Sequence, residues 1–196
     1  MIIYFDTETT GLRPGNICQL SYIMQDKSGA IGKNFFFQVD YMPKEVEAIH
    51  GLSVEKLKVL SGGKTIKDCI LEIEKDFSNA SLICAHNVQF DLMFMMAEFE
   101  NCGRHFKYNE SFCSMKRFTP ICKLPRNQGE GYKYPRLNEL CAFLGIREED
   151  INNASNDLFN GSTGFHDARF DTVAVYLAIN KVISRGADIW GLEKYL

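Results

Sequence analysis

Two carboxylates lie two residues apart near the beginning of the chain. Asp6 and Glu8 come directly after the apolar stretch 2–5, whose residue types favour a β-strand. Side chains at positions i and i+2 of a strand point to the same face, so both carboxylates are predicted to point the same way. Two like charges held together need a cation between them, or one of them takes a proton. Mg²⁺ and Mn²⁺ prefer oxygen ligands and suit such a pair. A chance Asp-x-Glu pair is the alternative. The turn residues 9–11 that follow favour the functional interpretation, because their backbone N–H groups could meet an anion.

A second group of polar residues, His86, Asn87 and Asp91, follows a predicted buried strand over 81–85 and leads into a predicted helix over 89–101. Asn87 is typical of a helix cap, and a carboxylate in the first turns of a helix also suits the helix dipole. A capped helix with a favourably placed aspartate explains this group without any function.

The third group contains His166 and Asp171, next to a helix predicted over about 167–184. Residues five apart on a helix differ by roughly 140° around its axis, so these two side chains meet only if His166 lies on the loop before the helix. The loop-forming residues 162–164 favour that arrangement. Asp171 lies near an apolar face, where an acid is costly unless it is paired or ligated. Asp167 is assigned to the first helical turn rather than to a ligand set, and a structural histidine is the alternative for His166.

Taken together, the three groups are more specific than any one alone. Each supplies an acid at a strand end or a helix start. The set consists of four carboxylates and one histidine: Asp6, Glu8, Asp91, Asp171 and His166. Such a set suits two-metal phosphoryl chemistry, in which one metal activates water and both stabilise the in-line displacement. A histidine, with an ordinary pKa of about 6.5, can take the proton of that water.

At these residues the chain resembles the DEDDh 3′–5′ exonucleases, the superfamily of the proofreading epsilon subunit of bacterial DNA polymerase III and of ribonuclease T. The motifs are FDTETTGL at 5–12, HNVQFD at 86–91 and HDARFD at 166–171. Their order and spacing agree with the family from residue 2 to about residue 183. A histidine five residues before the last aspartate is typical of this branch. Residues 48–52, AIHGL, also resemble the Val-His-Gly segment that follows the third strand in the family.

The resemblance implies a role for each of these residues. Asp6, Glu8 and Asp171 would hold the catalytic metal, Asp6 would also reach a second metal, and Asp91 would support that site directly or through water. His166 would be the general base. The pocket for the 3′-terminal nucleotide would be formed by Thr9, Leu12, His50, Phe90 and Met95. A core or capping role suits His50 and Met95 equally well.

The family fold is α/β and ribonuclease H-like, with a mixed five-stranded sheet flanked by helices. Apolar runs and turn residues predict four strands, over 2–5, 18–25, 35–39 and 81–85. Agreement with the family fold therefore requires a fifth strand near 112–114. Further helices are predicted after Pro43 and over 66–77 and 137–144.

The implied activity is a metal-dependent 3′–5′ exonuclease that uses two Mg²⁺ or Mn²⁺ ions and releases nucleoside 5′-monophosphates from a free 3′ end. Single-stranded DNA is the expected substrate. Trimming of RNA ends is the first alternative, because sensing of a 2′-OH depends on pocket details that the sequence does not determine. A non-catalytic nucleic-acid-binding module is the second alternative, although the chain has all four acids.

One basic and aromatic segment, 104–136, contains eight Lys/Arg, two Glu and six aromatic residues. Basic groups follow a phosphate backbone and aromatic faces stack on unpaired bases, so the segment could contact a single-stranded substrate. The alternative is a solvated surface loop whose aromatic residues belong to the core.

The whole chain sets limits on these interpretations. Its 196 residues predict one domain over 1–183 with a short tail over 184–196 and no attached polymerase domain. Stand-alone members of the family that it resembles are often dimers, so the resemblance also allows a homodimer. The content of 45% hydrophobic and 24% charged residues excludes wholesale disorder. The net charge of −3 does not by itself predict nucleic-acid binding. Seven cysteines without a CxxC pair argue against a disulfide framework and favour a reducing compartment. With no signal peptide and no membrane span, the expected location is the cytoplasm.

Overall fold

A mixed five-stranded sheet forms the centre of the molecule in the computed structural model, which describes residues 1–184 and 190–196. The strands lie in the order β3-β2-β1-β4-β5. β1 is antiparallel to β2, and β2 to β3, whereas β1, β4 and β5 run parallel. The strand bounds are β1 Ile2–Thr9, β2 Ile17–Asp26, β3 Gly29–Phe36, β4 Leu82–Ala85 and β5 Glu110–Cys113. The mixed sheet and its fifth strand were both expected, and both are confirmed.

Helices cover both faces of this sheet. Their bounds are α1 Lys44–His50, α2 Val54–Ser61, α3 Ile66–Asn79, α4 Val88–Asn101, α5 Ser114–Cys122, α6 Leu137–Leu144, α7 Glu148–Phe159 and α8 Ala168–Ser184, followed by a 3₁₀ helix at Leu192–Tyr195. The predicted helices over 66–77, 89–101, 137–144 and 167–184 are confirmed, each to within two residues at either end. None of the helices in the described part of the chain is long and apolar enough to cross a membrane.

The alternation of side chains along β1 divides the core into two halves. Ile2 and Tyr4 pack with α5, α6, α7 and α8, whereas Ile3 and Phe5 pack with α3 and α4. Residues two apart on a strand share a face. The strand therefore presents its later even-numbered residues, Asp6 and Glu8, towards the α8 side and Thr7 towards the α4 side.

Asp6 and Glu8 lie near the end of the first strand, as expected, because β1 continues to Thr9. The bounds of another strand need correction. The third strand was predicted over 35–39, but β3 covers Gly29–Phe36. Its pairing with β2 starts at the turn, where Asp26 is opposite Gly29, and continues to the pair of Gln19 and Phe36. The tight turn, rather than the apolar pattern, sets where this strand begins.

The helices α2, α5 and α7 were not predicted. α7 has two buried residues, Ile151 and Ser155, and packs on α8 and on β3. At Gly32 of β3 the packing is so close that an added Cβ would lie 2.5 Å from the Leu158 carbonyl oxygen. Tertiary contacts therefore stabilise a helix whose own sequence is rich in asparagine.

The C-terminal segment returns to the sheet edge. The Trp190 ring lies 5.1 Å from the Phe112 ring and 4.8 Å from the Phe118 ring, and the Met1 amine donates to the Tyr195 carbonyl at 2.7 Å. Of the predicted tail over 184–196, residues 185–189 lie outside the described residues. The domain bounds stay a prediction.

Phe77 of α3 tests the packing of the core half that carries α4. Its fully buried ring lies 5.3 Å from Phe5, 5.2 Å from Tyr22 and 5.3 Å from Phe106. Phe77→Ala should lower the free energy of unfolding by about 3–5 kcal/mol, because a large cavity remains. Leu71→Ala, at a position of α3 that is 64% exposed, is the matched control and should change it by about 0.5 kcal/mol or less. Urea unfolding measures both. Equal effects would mean that Phe77 is not a core residue.

Candidate active site

Three carboxylates converge where β1 meets α8. Side-chain oxygens of Asp6, Glu8 and Asp171 all lie within 4.8 Å of one another. Asp6 and Glu8 reach this point because they share the α8 face of β1. The hydroxyl of Thr172, next to Asp171, donates to the Ser21 carbonyl of β2 at 3.1 Å and fixes the helix against the sheet. The prediction that Asp6 and Glu8 point the same way is confirmed.

Burial and mutual repulsion disfavour the charged forms of these groups. Burial, then the charges of Asp171 and of other nearby acids, raises the pKa of Asp6 well above its ordinary range. The same causes raise the pKa of Glu8 to about 8. Burial raises the pKa of Asp171 to about 7, although a backbone hydrogen bond from His166 opposes the shift. Without a cation, the cluster retains protons at neutral pH.

The donor set fits a divalent cation. The backbone N–H of His166 donates to Asp171 Oδ2 at 3.1 Å, but Asp171 Oδ1 is buried and has no hydrogen-bond partner in the described part of the chain. An unsatisfied buried carboxylate oxygen is costly. Mg²⁺ and Mn²⁺ bind through such oxygens, so a cation among these three side chains would satisfy that oxygen and offset the repulsion.

Asp91, the fourth acid of the predicted set, lies outside this group of three. Its Oδ1 accepts from the Thr7 backbone N–H at 3.1 Å and from the Thr7 hydroxyl at 2.8 Å. The reason is geometric: α4, which carries Asp91, packs on the sheet face opposite to α8. Burial raises the pKa of Asp91 to about 7, although the bonds from Thr7 oppose the shift. The charge of Asp171 also raises it, so the two carboxylates are electrostatically linked.

His166 lies in the turn before α8, with a left-handed φ of 67°. From there it lines a cleft together with Asp6 and Asp171. His166 and Asp171 were expected to meet only if the histidine preceded the helix, and this placement is confirmed.

Asp167 holds the turn that carries His166. Its carboxylate accepts from the Thr163 backbone N–H and hydroxyl at 3.0 and 3.1 Å. It also accepts from Gln19 Nε2 at 3.0 Å and from the Arg169 guanidinium at 2.6 and 3.0 Å. Burial alone would raise the pKa of Asp167, but the bonds from Arg169 and Gln19 outweigh burial and lower it. Asp167 is therefore a charged brace for the turn, in agreement with its exclusion from the ligand set.

The residues expected around a terminal nucleotide occupy different depths. Leu12 is 85% exposed, Phe90 is half-buried, and Met95 has no exposed surface and belongs to the core. The Thr9 hydroxyl donates to the Gly11 carbonyl at 2.8 Å. Met95 has no surface to offer a nucleotide, so it can only support other residues of the pocket by packing against them.

His50 combines a capping role with a free ring nitrogen. Its Nδ1 accepts from the Leu52 N–H at 3.1 Å, which closes the turn after α1. Its Nε2 is buried without a hydrogen-bond partner among the described residues. Burial lowers the pKa of His50, although the nearby backbone of Thr9 opposes the shift, and His166 makes a smaller lowering contribution.

The turn after β1 was expected to offer its backbone N–H groups to an anion, but at least one of them is already bonded within the protein. The backbone N–H of Thr10 donates to the Asn16 carbonyl at 2.9 Å. Asn87, expected to cap α4, is at the predicted position with a left-handed φ of 72°, and its side chain makes no capping bond.

The sequence analysis did not predict the supporting contacts made by three residues. Thr7 holds Asp91, Asp167 braces the His166 turn, and His86 joins two segments. The His86 Nε2 donates to the Pro135 carbonyl at 3.0 Å, and its Nδ1 lies 3.0 Å from the Ser114 hydroxyl. Burial lowers the pKa of His86 to about 4, so it is neutral at pH 7. Only Thr7 left a signal in the sequence, because alternation along β1 places it opposite Asp6 and Glu8.

The order of the strands in the mixed sheet is that of a ribonuclease H-like fold, and three carboxylates converge beside its central strand. An exonuclease family model, that of the ribonuclease T family, matches residues 3–157, and the chain belongs to this family. This membership agrees with the resemblance of its motifs to the DEDDh 3′–5′ exonuclease superfamily, a divalent-metal-dependent group.

Two curated relatives are epsilon subunits of DNA polymerase III. The protein from Rickettsia prowazekii is 32% identical over 145 residues, which are 71% of this chain and 60% of that protein. The protein from Treponema pallidum is 30% identical over 163 residues, or 78% of this chain and 69% of that protein. The chain thus spans about 60–70% of the length of these relatives.

Solved structures of Escherichia coli exonuclease I share the fold. The complex with a dA16 oligonucleotide gives a TM-score of 0.72 at 18% identity and covers 96% of this chain and 42% of that one. Another exonuclease I structure gives a TM-score of 0.72 at 17% identity, with 93% and 40% covered.

The raised carboxyl pKa values predict how the metal-free protein responds to pH. A folded-state pKa above the unfolded value stabilises the fold at low pH, and that stability is lost as the pH rises through the folded-state value. In chelator, the melting temperature should therefore fall from about pH 4, near the ordinary carboxyl pKa, to about pH 8, near the folded-state pKa of Glu8, and level off at higher pH. Mn²⁺ at about 100 times its dissociation constant should restore about 2.7 kcal/mol.

Two variants make this test specific. Asp171→Asn removes one repelling charge, so it should melt higher than the parent in chelator at high pH and respond less to Mn²⁺. Asp157→Asn changes an exposed carboxylate of α7 and is the matched control. A parent-like response to Mn²⁺ from Asp171→Asn would contradict the cation site.

Proposed function

We propose that the protein removes nucleotides one at a time from the 3′ end of single-stranded DNA and releases nucleoside 5′-monophosphates. The observation that carries this proposal is the convergence of Asp6, Glu8 and Asp171 beside His166 in an open cleft, with one carboxylate oxygen left without a partner among the described residues. Relatives named as epsilon subunits of DNA polymerase III, and a fold shared with an exonuclease bound to a DNA oligonucleotide, support DNA over RNA.

The three carboxylates would hold the catalytic cation, with Asp6 shared by a second one and Asp91 in support. Bound Mg²⁺ or Mn²⁺ would activate water and stabilise the charge that develops at the phosphate. The raised pKa values of these carboxyls mean that the chain itself disfavours the charged cluster. The site is therefore built so that cation binding is strongly coupled to the ionisation of its ligands.

His166 would act as the general base that accepts the proton of the attacking water. Its backbone N–H is bonded to Asp171 Oδ2, and the following residue, Asp167, holds the turn through Thr163, Gln19 and Arg169. These bonds fix the backbone of His166 beside the acidic cluster. Its imidazole, which lines the same cleft as Asp6 and Asp171, would then accept a proton from a water bound there.

The terminal nucleotide would lie on the opposite side of the acids, near the end of β1. The exposed side chain of Leu12 and the half-buried ring of Phe90 offer apolar surface to a base. His50 Nε2, which has no partner among the described residues, offers a polar contact. A homodimer stays a prediction.

Substitution of His166 tests the mechanism. His166→Ala should lower kcat on 5′-labelled single-stranded DNA by about 10²–10⁴-fold and remove the acidic limb of the pH–rate profile, because the proton acceptor is removed. Asp171→Ala should abolish turnover, and His105→Ala, at an exposed position, should leave it unchanged. A product ladder resolved on a gel gives the rates and shows cleavage from the 3′ end. An unaltered pH profile in His166→Ala would exclude the general-base role.

The basic segment is tested through salt. Its arginine and lysine residues are not equivalent, because Arg104 pairs with Glu74 and Lys133 pairs with Glu139, whereas Lys123 and Arg136 are exposed. The double variant Lys123→Gln/Arg136→Gln should reduce the slope of log K against log salt concentration by about 0.7 for each phosphate that these two side chains neutralise in the parent protein. Arg104→Gln, which removes a paired charge, is the control. A parent-like slope in the double variant would assign the segment to solvated surface.

A further inference from the structure

A cleft of about 520 Å³ opens beside the acids proposed to be catalytic, and neither Leu12 nor Phe90 lines it. Asp6, His166 and Asp171 form one end of it. Its remaining surface includes Asn87, Met115, Tyr134, Arg136 and Asn138. Clefts that take ligands of nucleotide size measure roughly 300–1,000 Å³. The cleft therefore has room for one nucleotide next to the proposed reaction centre.

One wall of this cleft, residues 134–136, is anchored to the rest of the protein by hydrogen bonds. Pro135 is buried, and its carbonyl accepts from the half-buried His86 at 3.0 Å. His86 is also bonded to Ser114 at the start of α5. Tyr134 and Arg136, on either side of Pro135, are exposed instead, Tyr134 to 55%. Because Pro135 is anchored in the protein, the exposed side chains of its neighbours, Tyr134 and Arg136, lie at the surface of the cleft.

The chemistry of these two side chains suits a nucleotide. A tyrosine ring stacks on any base, and an arginine guanidinium binds phosphate through two hydrogen bonds. The guanidinium of Arg136 forms no ion pair with a carboxylate among the described residues, although its charge contributes to the lowered pKa of Glu139. Asn87 and Asn138 add amide groups that can bond to a base edge or a sugar.

A phosphodiester has a nucleotide on each side. None of the residues proposed for the 3′-terminal nucleotide, Thr9, Leu12, His50, Phe90 and Met95, lines this cleft. We propose that the cleft is the subsite for the nucleotide on the 5′ side of the scissile phosphate, with its base stacked on Tyr134 and its own 5′-phosphate bound by Arg136. This inference rests on the proposed exonuclease activity and names how the enzyme would bind the part of the strand that it does not release in that step.

Two substrates separate the subsite from the reaction centre. A single-stranded oligothymidylate fills both sides of the scissile phosphate. Thymidine 5′-(p-nitrophenyl phosphate) has the terminal nucleotide and the scissile bond, but a p-nitrophenyl group replaces the upstream nucleoside. Residues of the subsite should therefore matter for the oligonucleotide and not for the ester.

The variants are Tyr134→Ala and Arg136→Gln, with Tyr132→Ala as the matched control. Tyr132 is a tyrosine of the same segment, 42% exposed, that does not line the cleft. Each test variant should lower kcat/KM for the oligonucleotide by roughly tenfold, since loss of base stacking alone reduces binding by about 5- to 150-fold. Hydrolysis of the ester should be unchanged. The affinity for the oligonucleotide in chelator, measured by fluorescence anisotropy, should fall in parallel.

Each outcome decides between specific alternatives. Equal losses on both substrates would overturn the subsite and make Tyr134 and Arg136 structural supports. Parent-like activity on both, or an equal loss in Tyr132→Ala, would also overturn it. If the parent protein hydrolyses neither substrate, the proposed function itself fails and the subsite fails with it. A loss confined to the oligonucleotide supports the subsite.

Discussion

Repulsion among three partly desolvated carboxylates is the constraint on which this structure depends. Asp6 and Glu8 are two residues apart on one strand, and Asp171 approaches them from the helix packed on the same face. Their raised pKa values show that the arrangement opposes folding at neutral pH. The opposing stabilisation comes from the two core halves, which fix β1 at the centre of the sheet and press α8 against it.

The rest of the site braces this arrangement from separate directions. On one face of β1, Asp167 fixes the turn that carries His166, and on the other face Thr7 fixes Asp91. In the wall of the cleft that contains Tyr134 and Arg136, His86 donates a hydrogen bond to the Pro135 carbonyl. All of these partners are buried or half-buried hydrogen-bonding groups, so the surroundings of the acids are rigid without a bound cation. Such preorganisation limits how far the groups must move when a cation and a substrate arrive.

Spacing along the chain predicted more of the site than of the fold. The same-face placement of Asp6 and Glu8, and the loop position of His166, follow from strand and helix periodicity, which are local properties. The sequence motif correctly identified Asp91, but it did not predict that Asp91 lies outside the group of three carboxylates. That position depends on the face of the sheet on which α4 packs, which is a tertiary property. α7 was missed because its apolar residues are few and its helix depends on contacts with α8 and β3. β3 was misplaced because the turn at Asp26 and Gly29 sets its register.

His166 occupies a backbone conformation that a β-carbon disfavours, with φ at 67°. For residues other than glycine, asparagine and aspartate this conformation costs about 1–3 kcal/mol when the surrounding structure enforces it. A glycine at this position would relieve the strain, so selection for a robust fold alone would remove the imidazole. The turn is thus a point where stability and the proposed catalytic role of His166 select in opposite directions. Directed evolution for heat resistance, run without an activity screen, would be expected to lose the histidine there before it changes the core.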